Sequence, residues 1–138
     1  MNIYTSSWFT KLPPEMQKIG ISRGSPRGYP AGYRRMTELA PGPWFNTVTP
    51  DEYHRLFMAQ LDALDARQVV AKINELGAGR DVALLCFEAP TKPADWCHRG
   101  QVAGWLHDQL GLEVFEFGLE TAGCGWQHPK LHPDFRSR

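Results

Sequence analysis

"DVALLCF", residues 81–87, decides the fold. Behind Asp81 the apolar residues run unbroken from Val82 to Phe87, too few for a helix and without the alternation of a half-exposed strand. That is the pattern of a strand buried on both faces of a parallel sheet. Downstream, Asp95 is placed to cap a helix whose Val102, Ala103, Trp105, Leu106 and Leu110 form one stripe before Gly111 stops it. "LEVFEFG" (112–118) then alternates apolar and acidic residues, which predicts a strand with one exposed face. Strand, helix, strand is the order that a right-handed crossover turns into a parallel pair.

Upstream, "IYTSSWF" (3–9) is rich in β-branched and aromatic residues and ends at the breaker "KLPP"; it predicts a first strand, and "KIGIS" (18–22) a second. Glycines and prolines in "RGSPRGYPAGYRR" (23–35) prevent regular structure and place arginines on a loop. Thr49, Pro50 and Glu52 make the capping box of a helix carrying Tyr53, Leu56, Phe57, Leu61 and Leu64 at helical spacing. Asp65 and Gln68 open a second helix, which buries Val69, Val70, Ile73 and Leu76 and ends at Gly77. The expected architecture is α/β: a single domain over residues 1–118 with a small, mainly parallel, Rossmann-like sheet flanked by helices. Residues 119–138 lack an apolar period and read as an irregular tail, expected to be dispensable for folding.

The 138 residues suffice for one domain with a core of its own. Basic and acidic residues number 15 each, so no global field draws the chain to nucleic acid or to a membrane, and an anion site must be local. Arg23, Arg27, Arg34 and Arg35 are such a concentration. No apolar run approaches the roughly 18–20 residues of a membrane span, and "MNIYTSSWFTKLPP" lacks the pattern of a signal peptide. The chain is therefore expected in the cytoplasm, with its three cysteines as reduced thiols.

A buried strand ending at Cys86 sets Glu88 just past the carboxyl edge, where open α/β sheets bind ligands. The following helix must begin at the same edge, which brings Cys97, His98 and Arg99 back towards Glu88 in its first turn. That turn carries unpaired N–H groups and the positive end of the helix dipole, which favours a thiolate at Cys97. Arg99 is out of place there unless it shares an anion with the turn. Two structural alternatives stand beside this: Cys86 as a small core residue, and Arg99 as an ion-pair partner of Glu88.

"LLCFE" followed by "CHRGQVAGWL" and "EVFEF" resembles the signature of the Domain of Unknown Function 488 family; "IYTSSWF", "GISRGSPRG" and "ELAPGPWF" resemble one branch of it. The likeness runs over about residues 1–118. By resemblance, the family's recurrent polar positions fall on Ser22, Arg23, Cys86, Glu88, Cys97, His98 and Arg99. The spacer "APTKPADW" between Glu88 and Cys97 is longer than is usual in the family.

The expected function is a pocket at the strand carboxyl ends that takes a small anionic, nucleotide-like ligand. Ser22, Arg23, Cys86 and Arg99 would hold it, with Arg23 and Arg99 suited to phosphate oxygens. Glu88, Cys97 and His98 would be the catalytic groups, through acid–base work by Glu88 or His98 or a nucleophilic Cys97. No metal ligand and no cofactor is assigned. Two alternatives come from other classes: a nucleic-acid-binding module using the loop 23–35 with Tyr29 and Tyr33 as stacking rings, and a metal-binding protein using the turn at Cys97 or Cys124, His128 and His132 of the tail.

Overall fold

In the computed structural model, residues 1–89 and 95–137 are described; the spacer prolines at 90 and 93 lie outside them. Five parallel strands, β1 (Ile3–Ser7), β2 (Gln17–Gly20), β3 (Arg34–Arg35), β4 (Val82–Cys86) and β5 (Phe115–Glu116), form one sheet in the order β3-β2-β4-β1-β5. The α/β architecture is the expected one. β4, buried throughout, lies between β1 and β2, with Ser7 opposite Cys86 and Gly20 opposite Leu85. Three chain segments therefore end together at one carboxyl edge.

The helices are α1 (Pro50–Asp62), α2 (Ala66–Gly77) and α3 (His98–Leu110). Thr49 Oγ1 accepts the Glu52 N–H at 3.2 Å, and Asp65 Oδ1 accepts those of Arg67 and Gln68 at 2.9 and 3.2 Å. These caps satisfy donors that a free helix start leaves unpaired. Val82 and Leu84 pack with Phe57, Leu61, Ile73 and Trp105 in the core beneath the helices. Ala83 and Leu85, on the opposite face of β4, belong to a smaller cluster with Trp8, Leu12 and Met16, edged by Tyr29 and Tyr33 and without a helical residue. Non-helical chain thus covers that face.

Two local expectations are corrected. The N-cap of α3 is Cys97, not Asp95. Cys97 is extended (φ −148°, ψ 150°), its N–H donates to the Lys130 carbonyl at 2.8 Å, and its own carbonyl accepts the Gly100 N–H. The helix starts only after the chain has been held by the tail, so Cys97 stands at the cap with His98 and Arg99 as the first two helical residues. In 112–118, Val114 and Glu116 share the buried face while Phe115 and Phe117 are half-exposed. An acidic residue is therefore turned inward where the alternation predicted an exposed acidic face.

Among its described residues the tail carries three-residue 3-10 turns and no longer helix. It is nevertheless packed, with His128, Lys130 and Leu131 buried. A Cβ on Gly100 would stand 2.6 Å from the Leu131 nitrogen, and one on Gly104 2.8 Å from the Trp126 ring. Two glycines of α3 thus let the tail lie directly against the helix.

Candidate functional site

Cys86 ends β4, and Cys97 caps α3 above the same edge. The structure joins their sulfurs as a disulfide, in place of the thiols expected from the sequence, and leaves Cys124 free. Their Cα atoms stand 7.5 Å apart.

Arg99 is wholly buried, and its partner is Glu116 rather than Glu88. Nε donates to Glu116 Oε1 at 2.9 Å and Nη2 to Oε2 at 2.6 Å, a two-pronged pair that satisfies both ions. The remaining contacts aim the guanidinium at the edge: Nη1 donates to Cys86 Sγ at 2.9 Å and Nη2 to the Glu88 carbonyl at 2.9 Å. The anion shared with the helix start comes from within the chain, and Arg99 supports the Cys86 sulfur from behind.

Glu116 is held in turn. Thr5 Oγ1 donates to its Oε1 at 2.8 Å and lies 2.7 Å from His128 Nε2. Because the Lys130 N–H donates to His128 Nδ1 at 3.0 Å, Nε2 carries the ring proton and gives it to Thr5. Burial, and then the charges of Arg99, Arg136 and Lys130, push the His128 pKa down to about 3. It is a neutral link in a chain that runs from the tail through Thr5, Glu116 and Arg99 to Cys86. Sequence reading missed Thr5, Glu116 and His128 in this role: hydroxyls are common in strands, and the alternation around Glu116 spoke for exposure.

His98 is buried beside the disulfide. Nε2 lies 2.7 Å from the Ile21 carbonyl, which can only accept, so Nε2 bears the proton and the Nδ1 lone pair faces Cys97 Sγ at 3.5 Å. Burial lowers the pKa to about 4; the Ile21 bond opposes the shift and the Arg99 charge adds to it. The imidazole is therefore neutral at pH 7.

In front of these groups lie two adjoining lobes of a cleft, about 290 and 400 Å³, which share Phe45, Tyr53, Glu88 and His98 as lining. The smaller lobe reaches Ser22, Arg23 and Cys86, and the larger one Asp95, Trp96 and Cys97. Glu88 is partly exposed, with Oε2 3.3 Å from Cys86 Sγ. Arg23 is exposed; it donates to the Pro41 carbonyl at 3.1 Å and stands over the Phe45 ring at 5.6 Å from its centroid. Ser22 is engaged, accepting the Trp8 indole N–H at 2.9 Å and donating to the Gly24 carbonyl. Tyr53, read from sequence as a core residue of α1, also reaches this cleft, and burial followed by the Glu88 charge raises its pKa well above the ordinary value.

The other two clusters singled out from sequence are arranged differently. Tyr29 and Tyr33 pack edge-on against Trp8, with centroids 4.9 and 5.1 Å away, and Arg35 donates to the carbonyls of Ser22 and Arg23. In the tail, Cys124 turns to Glu113, His128 to Thr5, and His132 accepts the Asp134 N–H. Among the described residues, the donors that converge are Cys86, Cys97 and His98, all within 4.8 Å of one another. A larger cleft of about 820 Å³ opens at the amino edge around Met1, Tyr4 and Leu112, far from this cluster in the sheet.

No curated protein and no solved structure matches the chain. A family model does: residues 3–110 match that of the active DUF488-N3 subclade, and they include β1, the Arg23 segment, β4 with Glu88, and Cys97 to Arg99. The chain belongs to that subclade of the Domain of Unknown Function 488 family.

Proposed function

We propose that this protein is an enzyme that acts on a small anionic, nucleotide-like ligand at the carboxyl edge of its sheet. The reading is carried by one observation: Arg23 and Glu88, both open to solvent, line the same lobe as the Cys86 sulfur and the rings of Phe45 and Tyr53. Arg23 suits an anionic group, and the two rings offer flat apolar walls for a base. Glu88 supplies an acid–base group next to the reacting position, and the sulfur pair forms the floor.

Arg99 does not bind the ligand in this reading. Four of its five N–H groups are taken by Glu116, Cys86 and Glu88, so it acts by fixing the floor. Titration calorimetry with adenosine 5′-monophosphate, cytidine 5′-monophosphate and inorganic phosphate tests the assignment. A nucleoside monophosphate should bind the wild type, and Arg23→Ala should weaken it about tenfold or more, the loss of one charge-assisted contact. Glu88→Gln should retain binding. Equal affinity in wild type and Arg23→Ala, or no binding by any of the three probes, would sink the reading.

A further inference from the structure

We infer that the reduced chain holds a zinc ion between Cys86 Sγ, Cys97 Sγ and His98 Nδ1, with the fourth coordination position open to the cleft. Two thiolates and an imidazole are a donor set of the softness that zinc prefers, and their donor atoms already lie within 4.8 Å of one another. The backbone spacing fits as well. A separation of 7.5 Å between Cα atoms is wider than the roughly 4.4–6.8 Å of most disulfides, whereas a sulfur–metal–sulfur bridge, with about 2.3 Å on each side, spans more than a direct bond does.

The surroundings are those of a ligand set held ready. Metal-binding histidines usually donate their other ring N–H to a carbonyl or carboxylate, which fixes the tautomer; His98 does this to the Ile21 carbonyl and leaves Nδ1 facing the sulfurs. The Arg99 N–H at Cys86 Sγ places a positive charge against an anionic sulfur. Access comes through the cleft, since one lobe is lined by Cys86 and His98 and the other by Cys97 and His98. Three protein ligands with one open position is the arrangement of catalytic rather than structural zinc. A water or a ligand oxygen would complete it beside Glu88. The inference deepens the reading of the cleft as a reaction site and rests on it only for what takes that fourth position.

The disulfide and the metal site are alternative states of one pair. Two molecules of a low-molecular-weight thiol reduce the disulfide and leave as their own disulfide, and their two protons and two electrons appear as the Cys86 and Cys97 thiols. Zinc then displaces both protons.

Cobalt(II) reports the coordination. Titrated into the reduced, full-length wild type, it should saturate at one ion per chain, with the visible bands of a tetrahedral site and a near-ultraviolet thiolate-to-cobalt band, both lost when zinc is added. Cys124→Ser should leave the spectrum unchanged, which assigns the sulfur ligands to Cys86 and Cys97 without altering the core. Cys97→Ser should lower cobalt affinity by more than the roughly 100-fold that loss of an outer-shell partner costs. Glu88→Gln should keep the spectrum. A reduced chain that keeps its circular dichroism but shows no thiolate band, or a band that disappears in Cys124→Ser, overturns the zinc site. Calorimetry with adenosine 5′-monophosphate on metal-free and zinc-loaded protein separates the two readings. Nucleotide binding without cobalt bands refutes the metal site alone, and cobalt bands without nucleotide binding refute the ligand assignment alone.

Discussion

Arg99 and Glu116 meet with Nη2 and Oε2 2.6 Å apart, and neither side chain is exposed to solvent. The pair links α3 to β5 and is the point at which the tail, through His128 and Thr5, reaches the sulfur at the end of β4. A buried pair of this kind costs desolvation on both sides, so its net contribution is small while the loss of one partner is large. Arg99→Ala and Glu116→Ala should each lower unfolding free energy by about 3–5 kcal/mol. Arg99→Met with Glu116→Leu should lose less than the sum of the two alanine variants, because no charge is left unpaired. Urea denaturation of the four proteins checks this; additive losses would show that the ions act independently.

Thr5 is the narrowest link in the same chain, since one hydroxyl accepts from His128 and donates to Glu116. Thr5→Val keeps the shape but leaves a ring N–H and a carboxylate lone pair unsatisfied, and should cost about 1–3 kcal/mol. Thr5→Ser restores the hydroxyl and should recover most of it. Equal losses in both variants would assign the effect to packing of the missing methyl group instead.

How much of this was legible depends on the range of the physics. Helix caps such as Thr49 with Glu52 and Asp65 with Gln68 are local, and the structure has both. The apolar run of β4 fixed the centre of the sheet for the same reason: burial on both faces leaves no polar position in the pattern. Glu116 was read on the wrong face because its burial depends on Arg99, 17 residues away, and on Thr5 across the sheet, which no alternation encodes. The start of α3 shifted from Asp95 to Cys97 because the tail carbonyl of Lys130 holds the Cys97 N–H, a contact between segments more than thirty residues apart. At the site, Glu88, Cys86, Cys97 and His98 were brought to one edge by topology alone. Arg99 joined them but faces inward.

The docked tail makes a prediction opposite to the one its composition suggests. A chain ending at residue 118 loses His128 and the buried Leu131, exposes the Gly100 and Gly104 face of α3, and strips Glu116 of part of its shell. It should fail to give a cooperative thermal transition. Gly100→Ala in the full chain tests the same contact more gently. Its Cβ meets backbone of the tail at 2.6 Å, which a side-chain rotation cannot relieve, and should cost about 1–3 kcal/mol, whereas Gly24→Ala meets nothing within 4 Å and should be near neutral by comparison. A stable 1–118 chain together with a neutral Gly100→Ala would mean that the tail only rests on the surface.

Acid should destabilise the protein through its buried histidines, and His128 allows the sign to be worked out. Its folded pKa, about 3, lies below the ordinary 6.5, because burial and then the nearby charges of Arg99, Arg136 and Lys130 oppose a proton there. Between these two values the unfolded chain binds a proton at this position and the folded chain does not. Stability is therefore greatest above about pH 6.5 and declines on acidification, with a limiting slope of about 1.4 kcal/mol per pH unit for one histidine. His98, depressed to about 4 by burial, adds a similar share over its own window. His128→Gln removes one of the two: it should be less stable than wild type at pH 7.5, yet its stability should fall less steeply between pH 6 and pH 4.5. Urea denaturation at half-unit pH steps reads both slopes. Parallel curves for the two proteins would mean that His128 takes up its proton without leaving its place between Lys130 and Thr5, and that the neutral link is not required for folding.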